Sequence, residues 1–80
     1  MQREILFPQI GTKIEEAILV EWHKKVGESF VTGEVLYDVE TNKTISEVEA
    51  TFSGKLIEIK AKVGDEVNVN DLLAISEVTE

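Results

Sequence analysis

A turn pattern that occurs twice sets the strongest constraint on this chain. Lys25-Val26-Gly27-Glu28-Ser29-Phe30 is answered 37 residues later by Lys62-Val63-Gly64-Asp65-Glu66-Val67. At the same offset, Gly33-Glu34-Val35-Leu36 is answered by Asn70-Asp71-Leu72-Leu73. Glycine takes the positive φ of a tight turn without steric cost, and Asn tolerates it better than most residues with a side chain. Each half is too short to bury its own apolar face, so the two halves must share one core. The echo fades after Leu73, where Val39 faces Ser76.

The apolar runs between these turns are short and rich in branched and aromatic residues, as in residues 17–22 and 56–60. Punctuation comes every eight to twelve or so residues, and no stretch holds a helical period for three turns. The expected fold is therefore all-β: a flattened barrel or sandwich of two four-stranded antiparallel sheets, related by a pseudo-twofold axis. The expected core is Val20, Val35, Leu36, Val39, Val48, Ile57, Ile59, Val67 and Leu73.

Eighty residues make one domain, residues 1–80, with little room for an internal substrate pocket. There is no cysteine and only one histidine, His23, which excludes disulfides and the common zinc sites. A surface or edge-strand position is expected for His23, and a packed one for Trp22. Sixteen acidic residues against eight basic ones give a net charge of −8, which repels nucleic acid and anionic membranes and favours a monomer. No run approaches the roughly 20 apolar residues of a membrane span, and the N-terminus carries no secretion signal.

In the symmetric arrangement, residues 33–39 form a strand running out to a turn at 40–44, and residues 46–50 form its return. The turn lies at mid-sequence, and the chain ends fall at the opposite pole. Lys43 stands at its tip, where a solvated turn lysine is the ordinary expectation for that residue taken alone.

Several stretches resemble the lipoyl domains. The opening Phe7-Pro8-Gln9-Ile10-Gly11, then Glu15-Glu16-Ala17-Ile18 and Glu21-Trp22, is similar to theirs. So are Lys24-Lys25-Val26-Gly27-Glu28 and Gly33-Glu34-Val35-Leu36. Val39-Glu40-Thr41-Asn42-Lys43-Thr44 resembles the family's attachment signature, and the match runs over about residues 5 to 76. The resemblance implies lipoic acid in amide linkage on Lys43. It implies a swinging-arm carrier, without an active site of its own, in the acyltransferase component of a 2-oxo acid dehydrogenase complex of the pyruvate or acetoin type. The implied partners are a lipoate-protein ligase or lipoyl/octanoyl transferase, a thiamine-diphosphate-dependent decarboxylase, the acyltransferase catalytic domain and dihydrolipoyl dehydrogenase. The implied compartment is the bacterial cytoplasm, or the mitochondrial matrix in a eukaryote. In this family the loop following Gly11 lies beside the lysine hairpin, so Gly11, Thr12, Lys13, Glu15 and Glu16 join Glu40, Thr41, Asn42, Thr44 and Glu47 as candidate recognition residues. Chemically, the lysine amine loses its charge on acylation, and a strained disulfide at the end of a flexible arm then accepts and passes on acyl groups and electrons.

Three positions depart from the family pattern. Asn42 replaces the usual aspartate and Thr44 the usual alanine around the lysine. Ala17 stands where many members have glycine, which is expected to stiffen the loop after Gly11. A biotin carrier shares the fold and the modified lysine, but its signature places methionine on both sides of that lysine, and here the only methionine is Met1. The H protein of glycine cleavage carries lipoate but is considerably longer, and an unmodified barrel would serve only as a binding module.

Overall fold

The computed structural model describes residues 1–9, 16–42 and 44–79. Within them the chain forms eight strands: β1 (Gln2–Leu6), β2 (Glu16–Trp22), β3 (Ser29–Phe30), β4 (Val35–Thr41), β5 (Thr44–Glu49), β6 (Gly54–Ile59), β7 (Glu66–Asn68) and β8 (Leu72–Val78). No helix occurs among the described residues. The strands pair antiparallel into two sheets of four. The order β1-β8-β6-β3 makes a terminal sheet, and β5-β4-β2-β7 makes a hairpin sheet.

The 37-residue echo is a true pseudo-twofold. Gly27 and Gly64 both take φ +96°, and Gly33 and Asn70 take +95° and +74°. In the first half the Lys25 N–H donates to Glu28 Oε1, and in the second the Lys62 N–H donates to Asp65 Oδ2. The Gly27 N–H donates to the Leu56 carbonyl, and the Gly64 N–H to that of Leu19. These turns lace each half onto a strand of the other, so neither half can close alone. The symmetry continues past the point where the sequences diverge: Val39 and Ser76 are both fully buried, and the Ser76 hydroxyl donates to the Arg3 carbonyl at 2.9 Å.

One apolar cluster fills the space between the sheets, with Phe7, Leu19, Phe30, Tyr37, Leu56 and Leu73 at its centre. Of the core expected from sequence, Leu36, Val39, Val67 and Leu73 are buried, and Val35, Val48 and Ile59 are half-buried. Val20 and Ile57, in contrast, are each 37% exposed. The reason is a pair of symmetric bulges, between Leu19 and Glu21 and between Leu56 and Glu58. A bulge adds one residue to one strand, so the alternation reverses parity there. Leu19 and Leu56 point inward, while Val20 and Ile57 are the extra residues on the outside. Ala17 is likewise not a loop residue: it lies in β2, pairs with Val67 and is 4% exposed, because the strand begins at Glu16.

Trp22 packs as expected. Its ring centroid lies 5.0 Å from that of Tyr37, and Nε1–H donates to the Ala61 carbonyl at 2.9 Å. Burial pushes the Tyr37 phenol well above its ordinary range.

Candidate functional site

The β4–β5 hairpin is tighter than a turn over residues 40–44. The ladder pairs Val39 with Ser46, Glu40 with Ile45 and Thr41 with Thr44, so only positions 42 and 43 join the strands in sequence. Two-residue hairpin connections need a positive φ at the first position, because only the primed turns match the twist of the strands. Asn42 meets this with φ +46°. The turn chemistry of Asn, shared with Asp, therefore explains how this hairpin tolerates the change before the lysine. Lys43 itself lies outside the described residues, as do Gly11, Thr12, Lys13 and Glu15 among the candidate recognition residues.

The hairpin end of β4 and β5 stands at the pole opposite the chain ends. Met1 and Val78 are joined by a backbone hydrogen bond of 2.8 Å, beside the pairing of Gln2 with Glu77. That end of the terminal sheet is stitched to the far end of the hairpin sheet. The Thr79 N–H donates to the Ser53 carbonyl, the Thr32 N–H to Ser53 Oγ, and the Gly33 N–H to the Ala50 carbonyl. Each site strand is thus anchored at its base, away from the tip.

Thr41 is buried at 7% exposure, its side chain turned into the sandwich beneath the turn. Glu40, Asn42 and Thr44 are exposed around it, and Glu16 is exposed at the start of β2. Glu47 lies further down the hairpin, opposite Asp38, and belongs to a different cluster. There His23 Nε2 sits 2.9 Å from Asp38 Oδ2, and Nδ1 lies 3.9 Å from Glu21 Oε2. His23 is on the surface, as expected, and its ring lies against acids of two strands, Glu21 of β2 and Asp38 of β4. Of the other lysines, Lys24 pairs with Glu34 at 3.1 Å and Lys60 with Glu58 at 2.8 Å. No group of three His, Cys, Asp or Glu side chains that could hold a metal occurs among the described residues. No helix among them is long and apolar enough to cross a membrane.

Exposed apolar residues beside the hairpin were not anticipated from sequence. Ile18 and Ile45 are 38% and 51% exposed, and both pair with Glu40. The signal was available in the alternation of β2, where Glu16 and Ile18 share the face opposite Ala17 and Leu19.

This scaffold and its hairpin have known counterparts. The biotin/lipoyl attachment family, described as "Biotin-requiring enzyme", matches residues 3–75. The lipoyl domain of the 2-oxoglutarate dehydrogenase complex from Azotobacter vinelandii superposes with a TM-score of 0.71 at 35% identity, covering 96% of this chain and 95% of that one. The dihydrolipoyllysine-residue succinyltransferase component of the 2-oxoglutarate dehydrogenase complex from Bartonella vinsonii is 44% identical over 77 residues, which is 96% of this chain and 19% of the relative. The dihydrolipoyllysine-residue acetyltransferase component of the pyruvate dehydrogenase complex from Corynebacterium glutamicum is 32% identical over 94% of this chain and 11% of its own length. The chain thus spans a fifth or less of these two acyltransferase components. A single-chain, multi-domain long-chain acyl-CoA carboxylase shares the fold, with a TM-score of 0.82 at 16% identity, over 99% of this chain and 7% of that one.

The chain belongs to the biotin/lipoyl attachment family. Within that family it is a lipoyl domain, a carrier rather than an enzyme.

Proposed function

We propose that this domain carries lipoic acid in amide linkage on Lys43. We further propose that it serves the acyltransferase component of a 2-oxo acid dehydrogenase complex, in a bacterial cytoplasm or a mitochondrial matrix. The observation that carries the reading is the two-residue connection between paired Thr41 and Thr44, of which Lys43 is one residue, at the pole away from the chain ends. A ligase closing on that connection meets the ends of β4 and β5. The ladder runs up to Thr41 and Thr44 on either side of the connection, and Thr41 is buried beneath it. Lipoic acid supplies a dithiolane for acyl and electron transfer, while the protein supplies address and reach. Tethering keeps that group at an effective concentration in the millimolar range near each active site.

The partners that follow are a lipoate-protein ligase or lipoyl/octanoyl transferase, a thiamine-diphosphate-dependent decarboxylase, the acyltransferase catalytic domain and dihydrolipoyl dehydrogenase. Relatives from both 2-oxoglutarate and pyruvate complexes support the 2-oxo acid class, without favouring the pyruvate- or acetoin-type complex within it. The biotin reading lacks the methionines beside the lysine.

Incubation with lipoate ligase, ATP and lipoate, followed by intact-protein mass, tests the reading. Wild type gains one lipoyl group, and Lys43→Arg gains none, because a guanidinium stays protonated and offers no acylable amine. A parallel incubation with biotin ligase and biotin leaves both unmodified. An adduct on folded Lys43→Arg, or biotin on the wild type, would overturn the assignment.

A further inference from the structure

The pseudo-twofold makes the two poles of the sandwich nearly alike in backbone, yet only one carries the lysine. Comparison of symmetry-equivalent rows shows how the poles differ. Across the hairpin sheet, one step below Thr41 and Thr44, Ile45, Glu40, Ile18 and Glu66 are successive cross-strand partners. Cross-strand partners share a face, and all four are exposed. Across the terminal sheet, the equivalent row is Gln2, Glu77, Lys55 and Ser29. The backbone is the same; the side chains are not. One row alternates isoleucine with glutamate, whereas the other is polar and holds its single acid between Gln2 and Lys55.

The same bias runs through the whole sheet. Every strand of the hairpin sheet carries an acid, and none carries Lys or Arg. The strands of the terminal sheet carry Arg3 and Lys55 against Glu4, Glu58 and Glu77. Exposed isoleucine is unfavourable in water unless something covers it, and the acids around it choose what can. A second copy would bring acid against acid, and nucleic acid or an anionic membrane would be repelled likewise. A surface of Lys or Arg around an apolar cleft is complementary.

We propose that the row Ile45–Glu40–Ile18–Glu66 is the docking strip for the enzyme that acylates Lys43, which meets it with a cationic, apolar-centred cleft. The proposal rests on the lipoyl-lysine reading. Ile45 is two residues from Lys43 in sequence, so an enzyme that takes in the hairpin tip lies against this row. The isoleucines anchor it, the glutamates orient it, and the polar row at the other pole gives it nothing to hold. The two poles are thereby told apart despite their shared shape.

The test uses lipoate ligase, ATP and lipoate, with initial rates of mass gain measured across domain concentration. Ile18→Lys with Ile45→Gln copies the residues already present at the equivalent positions of the other sheet, so the backbone accommodates them. Glu40→Gln with Glu66→Ser removes the charge alone and leaves the anchors. Each pair is expected to raise KM at least tenfold with kcat within twofold of wild type. Added salt should raise the wild-type KM and affect the glutamate variant less. The control Gln2→Ile with Lys55→Ile, on the terminal sheet, stays within twofold. Circular dichroism reports folding, and should the isoleucine pair unfold, the glutamate pair decides. Acylated wild type with both pairs within twofold of it, or an equal loss in the control, removes the docking strip alone. A wild type that is never acylated removes the lipoyl-lysine reading and the strip with it.

Discussion

His23 Nε2 stands 2.9 Å from Asp38 Oδ2, and this contact makes β2 and β4 respond to pH. The hydrogen bond to Asp38 raises the His23 pKa above its ordinary 6.5; burial opposes it, and the charges of Asp38, Glu21 and Glu47 add to the rise. A group whose folded pKa is raised stabilises fully below its unfolded value, and that contribution disappears as pH rises through the folded value. Resistance to urea should therefore fall as pH rises from about 6 to 8. Asp38→Asn should remove most of that slope and return the imidazole resonances to an ordinary titration. A His23 midpoint at or below 6.5 in the wild type would contradict the geometry.

Leu36 and Leu73 are symmetry mates at 3% and 0% exposure, each inside the shared cluster. Truncation of either to alanine should cost about 2–5 kcal/mol, as buried leucines do. Val20→Ala and Ile57→Ala, on the outer side of the two bulges, should cost well under about 1 kcal/mol. Urea unfolding of the four variants checks both halves of the expectation. Equal losses at all four sites would mean that the bulges are misplaced.

Gly54 has no room for a side chain. A Cβ there would lie 2.5 Å from the Glu77 carbonyl oxygen and 3.2 Å from the Phe30 ring. The backbone oxygen cannot move without disturbing the β6–β8 ladder. Gly54→Ala is expected to destabilise by about 1–3 kcal/mol, in the range of core overpacking. A neutral outcome in thermal denaturation would show that the two strands can separate at that end of their ladder.

Asn42 holds the first connecting position at φ +46°. Valine there would be forced into a left-handed backbone that costs about 1–2 kcal/mol. Asn42→Val should loosen the hairpin and slow acylation of Lys43, while Asn42→Gly leaves both nearly unchanged. Amide exchange at Thr44 alongside the acylation rate measures the two effects in one sample.

Much of this architecture could be read from the chain because its decisive residues are local. Gly27, Gly33, Gly64 and Asn70 carry their backbone requirement in their own chemistry, so the repeat and its turns were legible. The inward and outward faces of β2 and β6 were not. A bulge is fixed by how two strands meet, and nothing in Leu19-Val20-Glu21 alone says that Val20 is the extra residue. For the same reason Phe7, Phe30 and Tyr37, outside or at the ends of regular alternation, were missed as core. At the candidate site, Glu40, Asn42 and Thr44 surround the connection as expected, but Glu47 falls in with His23, because each ladder step carries a residue away from the tip. Ile18 and Ile45 escaped notice because their meaning depends on sharing a row.

Both chain ends leave from one pole, clasped by the Met1–Val78 hydrogen bond, with β1 and β8 antiparallel behind it. A load applied between the two ends would peel that ladder open one pair at a time, the direction in which a sheet is mechanically weakest. A pull between either chain end alone and the opposite pole puts no such load across that ladder. Under a pull of that kind the terminal sheet stays zipped.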